Sequence, residues 1–250
     1  MRLGTFHVAP LVVLSALVWA HSGPVAVVAQ QRGGATTSQD ADPAANQAAI
    51  ERLGPTLYRV GSIHVDVARR EITVMGTVNP DVRTLEFIAN ARGGLRAYET
   101  AITLDTDAIT FNTALLLIGL DRTRSRNAPT AHFDPAVPVG DGVEIFLECP
   151  KGECERMPAE RLMFDQDAKR SPDGGAWVYT GSSFLPDGRY LAQTDGSLVG
   201  FVHDPASIIE YSVGAGLNRY GSIVFNTTVG LAAGTAVTMT VRAVGPPRAR

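Results

Sequence analysis

The sequence predicts an α+β domain dominated by strands, with antiparallel sheets built from hairpins and a meander, and with one main helix packed on the sheet. Short runs of alternating apolar and polar residues recur along the chain, and glycine, proline and Asp-Gly turn signals separate them. A single segment, at about residues 106–118, changes to a helical pattern. That segment is apolar on more than one face, so we expect the helix to lie against the sheet.

Residues 1–29 have the pattern of a secretory signal peptide. Arg2 precedes the apolar run VAPLVVLSALVWA, which is too short to span a bilayer comfortably, and small residues near Ala29 are suited to cleavage. An uncleaved membrane anchor is the alternative, although Pro10 and Pro24 interrupt the apolar stretch. The sequence therefore predicts a periplasmic or secreted protein with no stable membrane span after cleavage.

Residues 30–52 are mostly polar and small and predict a flexible tether with a short helix. Asp42 would cap this helix, and Pro43 would be its first helical residue. Residues 53–243 are enough for a single domain with a proper core, and residues 244–250 predict a disordered tail. The chain holds 22 basic and 25 acidic residues, a balance that predicts no nucleic-acid partner.

Two hairpins and the main helix are predicted in the first half of the domain. Residues 62–78 contain two alternating runs around the turn ARR, and residues 84–103 contain two more around the turn ARGG. Thr106 can act as the N-cap of the helix that follows, and Gly119 is placed to end it.

A long connection and a meander are predicted in the second half. Residues 121–140 hold three prolines, three arginines and no periodicity, which indicates an irregular loop of the length that often carries function. Residues 177–202 predict three strands in a meander, with Asp195-Gly196 as the tight turn between the last two. Further strand patterns lie at residues 142–149, 160–165, 222–229 and 236–244.

Cys149 and Cys154 are the only two cysteines of the chain, and they stand on either side of PKGE, between segments that can form antiparallel strands. In an oxidising compartment this arrangement predicts a disulfide that clamps the end of the hairpin. A redox-active pair or half of a metal site is the alternative, but the spacing is not C-x-x-C and the acidic neighbours disfavour a thiolate. Two cysteines also cannot supply the four thiolates of a usual iron–sulfur cluster.

Ser182 and Ser183 lie in a glycine-rich strand, where Ser182 is a candidate ligand contact. Neither serine occupies a G-x-S-x-G turn or an S-x-x-K motif, so the patterns favour ordinary strand hydroxyls over a nucleophile. His64, His132 and His203 are isolated in sequence, and we interpret each as a surface or hydrogen-bonded histidine. The sequence therefore predicts no metal site and no cofactor.

Two glutamates of the second hairpin form the sharpest candidate site. If ARGG is a four-residue loop, Phe87 faces Tyr98 and Glu86 faces Glu99. Facing carboxylates repel each other, so a shared proton, a shared cation or an arginine is expected between them. The candidate arginines are those of the long loop, Arg122, Arg124 and Arg126. The pair is then either part of a structural cluster or a binding or catalytic dyad.

Several segments together resemble the YdjY-type domain, a family of exported bacterial proteins. They are LEFIANARGGLRAYETAI, TALLLIGL, PAERLMFD, WVYTGSSF with RYLAQTDGSLVGFVHDPASII, and GTAVTMTVR, and they fall within about residues 58–243. The resemblance implies a fold and an exported location, and it implies no reaction.

Two classes of function remain open at this point. The first is a non-enzymatic binding or scaffold module of the cell envelope, whose partner is an envelope protein or a small ligand. The lack of a recognised catalytic motif and the layout of tether and domain favour this class. The second is a hydrolase-type enzyme that uses the carboxylates of Glu86 and Glu99, which would then lie about 5 to 9 Å apart in a cleft.

Overall fold

A computed structural model describes residues 48–174, 177–215, 217 and 219–245. The predicted signal peptide, and the predicted tether as far as residue 47, lie outside the described residues. In the part of the chain that the structure describes, no helix is both long enough and apolar enough to cross a membrane. Val244, the first residue of the predicted tail, donates its backbone N–H to Gly142 O at 2.8 Å.

Strands dominate the described residues, as predicted. The strands are β1 (Ile50–Arg52), β2 (Leu57–Val60), β3 (Ile63–Asp66), β4 (Glu71–Val78), β5 (Phe87–Ala91), β6 (Thr100–Leu104), β7 (Asp141–Glu148), β8 (Met157–Pro158), β9 (Met163–Asp165), β10 (Trp177–Tyr179), β11 (Ser197–Gly200), β12 (Ile209–Tyr211), β13 (Ile223–Phe225) and β14 (Ala236–Ala243). The α-helices are α1 (Ala108–Leu117) and α2 (Leu191–Asp195).

Eight of these strands close into a barrel. In the order β4, β14, β7, β10, β12, β11, β5 and β6, each strand is hydrogen-bonded to the next, and β6 returns to β4 with Gly76 opposite Leu104. The pairs β5–β6 and β11–β12 are parallel, and the other six pairs of the ring are antiparallel. The prediction of purely antiparallel sheets is therefore wrong in detail, because the sheet is mixed and closed.

The remaining strands attach to this barrel or lie beside it. Strands β1, β2 and β3 continue the sheet outward from β4, β8 pairs with β7, and β9 and β13 form a separate two-stranded sheet. The core is continuous, and its largest fully buried side chains include Trp177 and Tyr179 of β10. Helix α1 buries Phe111 and Leu115 and packs against β2, β3 and β11, so its predicted position against the sheet is confirmed.

The first predicted hairpin and the main helix are confirmed. Strands β3 and β4 are antiparallel neighbours, with Asp66 opposite Glu71. The N-cap of α1 is Asp107 and not Thr106, because the Asp107 carboxylate accepts a hydrogen bond from Thr110 N at 2.9 Å. Gly119 follows the helix with a φ of +87°, a conformation that glycine adopts at low cost.

The second predicted hairpin is wrong. Strands β5 and β6 are parallel, with Phe87 opposite Thr100 and Ala89 opposite Ile102. The ARGG segment does turn the chain, since Gly94 N donates to Ala91 O at 3.0 Å, but a 3-10 turn at Ala97–Glu99 reverses the chain again before β6 begins. Two reversals restore the original strand direction, and an alternating pattern carries no information about a second reversal.

The predicted meander is also wrong. The segment expected to be its middle strand contains helix α2, and Gly196 is the left-handed C-cap of that helix, with a φ of +90°. Glycine adopts positive φ at low cost, which is why Asp195-Gly196 predicted a tight turn. The same property allows Gly196 to terminate a helix. Strand β11 consequently pairs with β5 and with β12, a strand that we did not predict.

The short helix predicted before the domain is contradicted over residues 50–52. These residues form β1, in which Ile50 lies opposite Val60 of β2. The proposed start of the helix at Asp42 lies outside the described residues. Pairing with a neighbouring strand overrides the weak local preference of this segment for helix.

Cys149 and Cys154 form the predicted disulfide. The bond lies at the end of the antiparallel pair β7–β8, where Leu147 faces Met157. It therefore closes the hairpin at the position that the spacing indicated, and its sulfur atoms are not free to bind a metal.

Candidate functional site

Glu86 and Glu99 are neighbours in the structure, although the reason differs from the predicted one. The parallel register that sets Phe87 opposite Thr100 also brings the preceding residues together, and Glu86 N donates to Glu99 O at 2.9 Å. Both side chains are buried, with exposed fractions of 2% and 4%. Tyr98, expected opposite Phe87, is instead exposed to solvent.

Arg96 is the arginine that lies between the two carboxylates. Its Nη1 atom is 3.0 Å from Glu99 Oε1 and 3.9 Å from Glu86 Oε2. The same guanidinium is 3.5 Å from Asp195 and 3.6 Å from Asp204, so four carboxylates surround this one cation. Its position follows from the turn between β5 and β6, which returns the chain to the start of β5.

The three arginines that we predicted for this role lie elsewhere. Arg124 pairs with Asp141 and Asp121, Arg122 lies over the ring of Phe184, and Arg126 donates to backbone carbonyls of its own loop. The prediction failed because ARGG was treated as a simple hairpin loop, which would have turned Arg96 away from the pair.

His132 is the second cation of the cluster, and it comes from the long loop. Its Nε2 atom is 3.0 Å from Glu86 Oε2, and its Nδ1 atom is 2.7 Å from Asp204 Oδ2. Hydrogen bonds with Asp204 and Glu86 raise the pKa of His132 to about 9, although burial opposes the change. The imidazole is therefore protonated at neutral pH and joins loop 121–140 to the barrel.

The aromatic ring of Phe87 lies beside both cations of the cluster, Arg96 and His132. The Arg96 guanidinium lies 5.4 Å from the centre of its ring, and the His132 ring is nearly parallel to it at 6.4 Å. Gly200 lies opposite Phe87 in β11, and a Cβ atom there would collide with Ser207 Oγ, so the position needs glycine. Aromatic and cationic groups thus stack at the edge of the barrel.

Glu210 lies behind the cluster and is fully buried. Its Oε1 accepts a hydrogen bond from Asp204 N at 3.0 Å, and burial raises the pKa of this carboxyl to about 8. Burial would also raise the pKa of Asp204, but the hydrogen bond with His132, the Ala206 amide and the charge of Arg96 together hold it below its usual value. The two neighbouring acids are thus set to opposite protonation states at neutral pH.

Ser182 is part of the support for this region and not of the charged cluster. It is buried, its φ is +59°, and its Oγ donates to Ala206 O at 2.8 Å. The hydroxyl therefore holds the segment that follows Asp204. Among the described residues the Ser182 hydroxyl bonds to the backbone carbonyls of Pro205 and Ala206, whereas Glu86 and Glu99 lie beside Arg96.

Histidine and carboxylate groups do not form a metal centre in the described residues, where no group of three or more could hold an ion. His64 is exposed on β3. His203 is buried, and its two ring nitrogens lie 2.8 Å from Asp134 O and 2.9 Å from Tyr211 O. It thus fixes the long loop to the end of β12.

A cavity of about 680 Å³ lies next to the cluster. Phe133, the residue after His132, forms one wall, and Tyr211 and Arg219 are among its other lining residues. The φ of Phe133 is +59°, which is rare for an aromatic residue and persists only where the surroundings impose it. The contacts of His132 and His203 on either side supply that constraint. No sequence signal located this cavity, because its lining comes from distant loops.

The described residues thus form a closed barrel of mixed sheet, with a buried ionic cluster that includes His132 and a cavity that is lined by the next residue, Phe133. The YdjY domain profile matches residues 63–242. The chain belongs to the YdjY domain family, and the resemblance noted from its motifs is confirmed. Comparison with curated proteins and with solved structures found no match.

Proposed function

We propose that this YdjY domain is an exported binding module, in which the cavity beside Phe133 takes the ligand and the cluster around Arg96 holds the cavity wall. The observation that carries the proposal is the burial of Glu86 and Glu99. Carboxylates that solvent does not reach, and that already pair with Arg96 and His132, are suited to a structural role.

The path from the cluster to the cavity is short. His132 is fixed by Glu86 and Asp204, and the next residue, Phe133, presents its ring to the cavity. The ring of Phe133 packs edge-on against His132, with their centres 4.3 Å apart. A substitution in the cluster is therefore expected to move Phe133. It should then change ligand binding in the cavity as well as the stability of the domain.

A hydrolase that uses Glu86 and Glu99 has less support. Such an enzyme needs both carboxylates to meet a substrate in a cleft, whereas both are buried beside one guanidinium. His132 is also poorly suited to act as a general base, because both of its ring nitrogens face carboxylates and its pKa is raised to about 9.

The two classes predict opposite effects of replacing the glutamates with glutamine. A structural cluster predicts that Glu86→Gln lowers the free energy of unfolding by about 3 kcal/mol, because His132 loses a buried partner. Glu99→Gln should cost less, about 1.5 kcal/mol, because burial and the charge of Glu86 already raise the pKa of Glu99. Thermal and urea unfolding of both variants and of the double variant measures these changes.

The matched control is Glu144→Gln, because Glu144 is also paired with an arginine, Arg242 at 2.6 Å, but is 40% exposed. We expect this control to change the stability by less than about 1 kcal/mol. A catalytic dyad would instead leave Glu86→Gln and Glu99→Gln as stable as the parent, or more stable, and that result would contradict the structural role.

Export is proposed from the signal-like N-terminus and is supported by the disulfide, a bond typical of oxidising compartments. We expect protein recovered from the periplasm or medium of a producing bacterium to begin near Gln30 and to contain no free thiol. Intact-mass measurement and thiol labelling under denaturing, non-reducing conditions test both expectations. A cytoplasmic species that begins at Met1 and labels at Cys149 and Cys154 would contradict them.

A further inference from the structure

The cavity beside Phe133 has the size and form of a small-molecule site. Its volume of about 680 Å³ falls inside the range of about 300–1,000 Å³ that is usual for ligand pockets. Its lining residues include Phe133, Tyr211 and Leu217, together with most of the turn at residues 165–174. The cavity is therefore lined by both apolar and polar groups.

Four of the five charged lining residues form two ion pairs. Arg170 lies 2.6 Å from Asp173, and Arg219 lies 2.9 Å from Asp167. Asp165 accepts hydrogen bonds from the backbone N–H groups of two residues of its own turn, at 2.8 and 3.0 Å. A pair that is already neutral overall offers a charged ligand little net electrostatic attraction.

A neutral hydroxyl group does not depend on such an attraction. It can donate a hydrogen bond to a carboxylate and accept one from the neighbouring guanidinium while the pair remains intact. Each arginine–aspartate pair at the rim is thus a ready partner for hydroxyl groups. Adjacent hydroxyls of one molecule could engage both pairs.

Exposed aromatic surface lies beside these pairs. Tyr220 is not itself a lining residue, but it follows the lining residue Arg219 in the chain, and its ring centre is 6.5 Å from that of the lining residue Phe133. Its side chain is 66% exposed. An aromatic side chain that leaves so much of its apolar surface in solvent gains when another apolar surface covers it. A sugar ring offers an apolar C–H face together with a rim of hydroxyl groups.

We propose that the cavity binds a neutral saccharide, with the sugar face on Tyr220 and Phe133 and the hydroxyl groups on the two arginine–aspartate pairs. This inference rests on the proposed binding function and adds the class of ligand. It concerns side chains that are separate from the buried cluster of Arg96 and His132.

Trp177 provides a reporter for the test, because its ring centre lies 4.9 Å from that of the lining residue Tyr211. The exported full chain is titrated with maltotriose, cellotriose and N,N′,N″-triacetylchitotriose, and tryptophan fluorescence and heat are recorded. Dialanine and choline are the charged probes. We expect saturable binding of at least one trisaccharide and no saturation with dialanine or choline.

Two variants locate the binding. Tyr220→Ala removes the stacking surface and Asp173→Asn removes one acceptor, and each should weaken trisaccharide binding by about tenfold or more. Phe184→Ala is the matched control, because Phe184 is 56% exposed and its ring packs against Tyr190, which does not line the cavity. This variant should leave binding unchanged.

Three results would overturn the saccharide proposal: no saturation with any trisaccharide, saturation with dialanine or choline instead, or equal losses in Phe184→Ala and Tyr220→Ala. Saturation with a charged probe that Tyr220→Ala weakens would leave the binding module standing and reject only the class of ligand. The unfolding measurements on the glutamate variants judge the role of the cluster independently of any ligand.

Discussion

Replacement of Arg96 by methionine is expected to destabilise the domain by about 3–5 kcal/mol, the largest effect of any single change proposed here. The methionine keeps much of the apolar length of the side chain but removes the cation that faces Glu86, Glu99, Asp195 and Asp204. Two buried carboxylates then face each other with no guanidinium between them.

The loss of stability in the Arg96→Met variant should increase with pH. Burial already raises the pKa of Glu99, and Arg96 opposes that change, so without Arg96 the folded-state pKa of Glu99 rises further above the unfolded one. Stability in the variant is then retained near pH 5 and falls as the pH rises toward 7. Urea unfolding at both pH values measures this difference.

Arg92→Met is the control for this experiment. Arg92 lies in the same turn and pairs with Asp105 at 2.8 Å, but its side chain is 73% exposed. An exposed pair contributes about 0–1 kcal/mol, so this variant should be close to the parent at both pH values. Equal losses in the two variants would show that the turn, and not the charge of Arg96, matters for stability.

Glu210→Gln is expected to stabilise the domain at alkaline pH, by an amount on the order of 4 kcal/mol at pH 8. The pKa of Glu210 is raised by burial to about 8. The folded protein therefore keeps a proton that the unfolded chain loses near pH 4.5, and stability falls by about 1.4 kcal/mol per pH unit between those values. Glutamine removes this dependence because it does not ionise.

Near pH 4.5 the parent and the variant should differ little, since Glu210 is protonated in both states there. A second slope should remain in the variant between pH 6.5 and 9, because His132 contributes stability that is lost as it deprotonates. Chemical unfolding from pH 4.5 to 9, with Glu210→Gln alone and combined with His132→Asn, separates the two groups. Parallel stability curves for the parent and Glu210→Gln would contradict the buried, protonated state.

The pair of Glu86 and Glu99 shows which part of the candidate site could be predicted from the sequence. Repulsion between Glu86 and Glu99 predicted a shared proton, a shared cation or an arginine between them, and Arg96 is the group that the structure places there. The identity of the arginine did not follow, since Arg96 reaches the pair only after the second chain reversal at Ala97–Glu99. A local sequence pattern can predict which types of residue lie close together. Which residue of that type is present depends on the path of the chain.

For a related reason, the sequence could not predict that His132 and Asp204 belong to the cluster. They lie in separate loops and meet only because both cover the edge of β5, where Glu86 is found. The length of loop 121–140 was the one available signal, and it indicated function without indicating a residue. The family motifs, in contrast, were readable directly, because they record local sequence and need no knowledge of contacts.

The position of β14 has a consequence for how the chain reaches its native state. β14 is the last described strand in chain order, yet it lies between β4 and β7, with Met239 opposite both Val74 and Leu147. The ring cannot close before this strand emerges, so its earlier neighbours stay unjoined during synthesis. A chain that closes late and through distant contacts folds slowly.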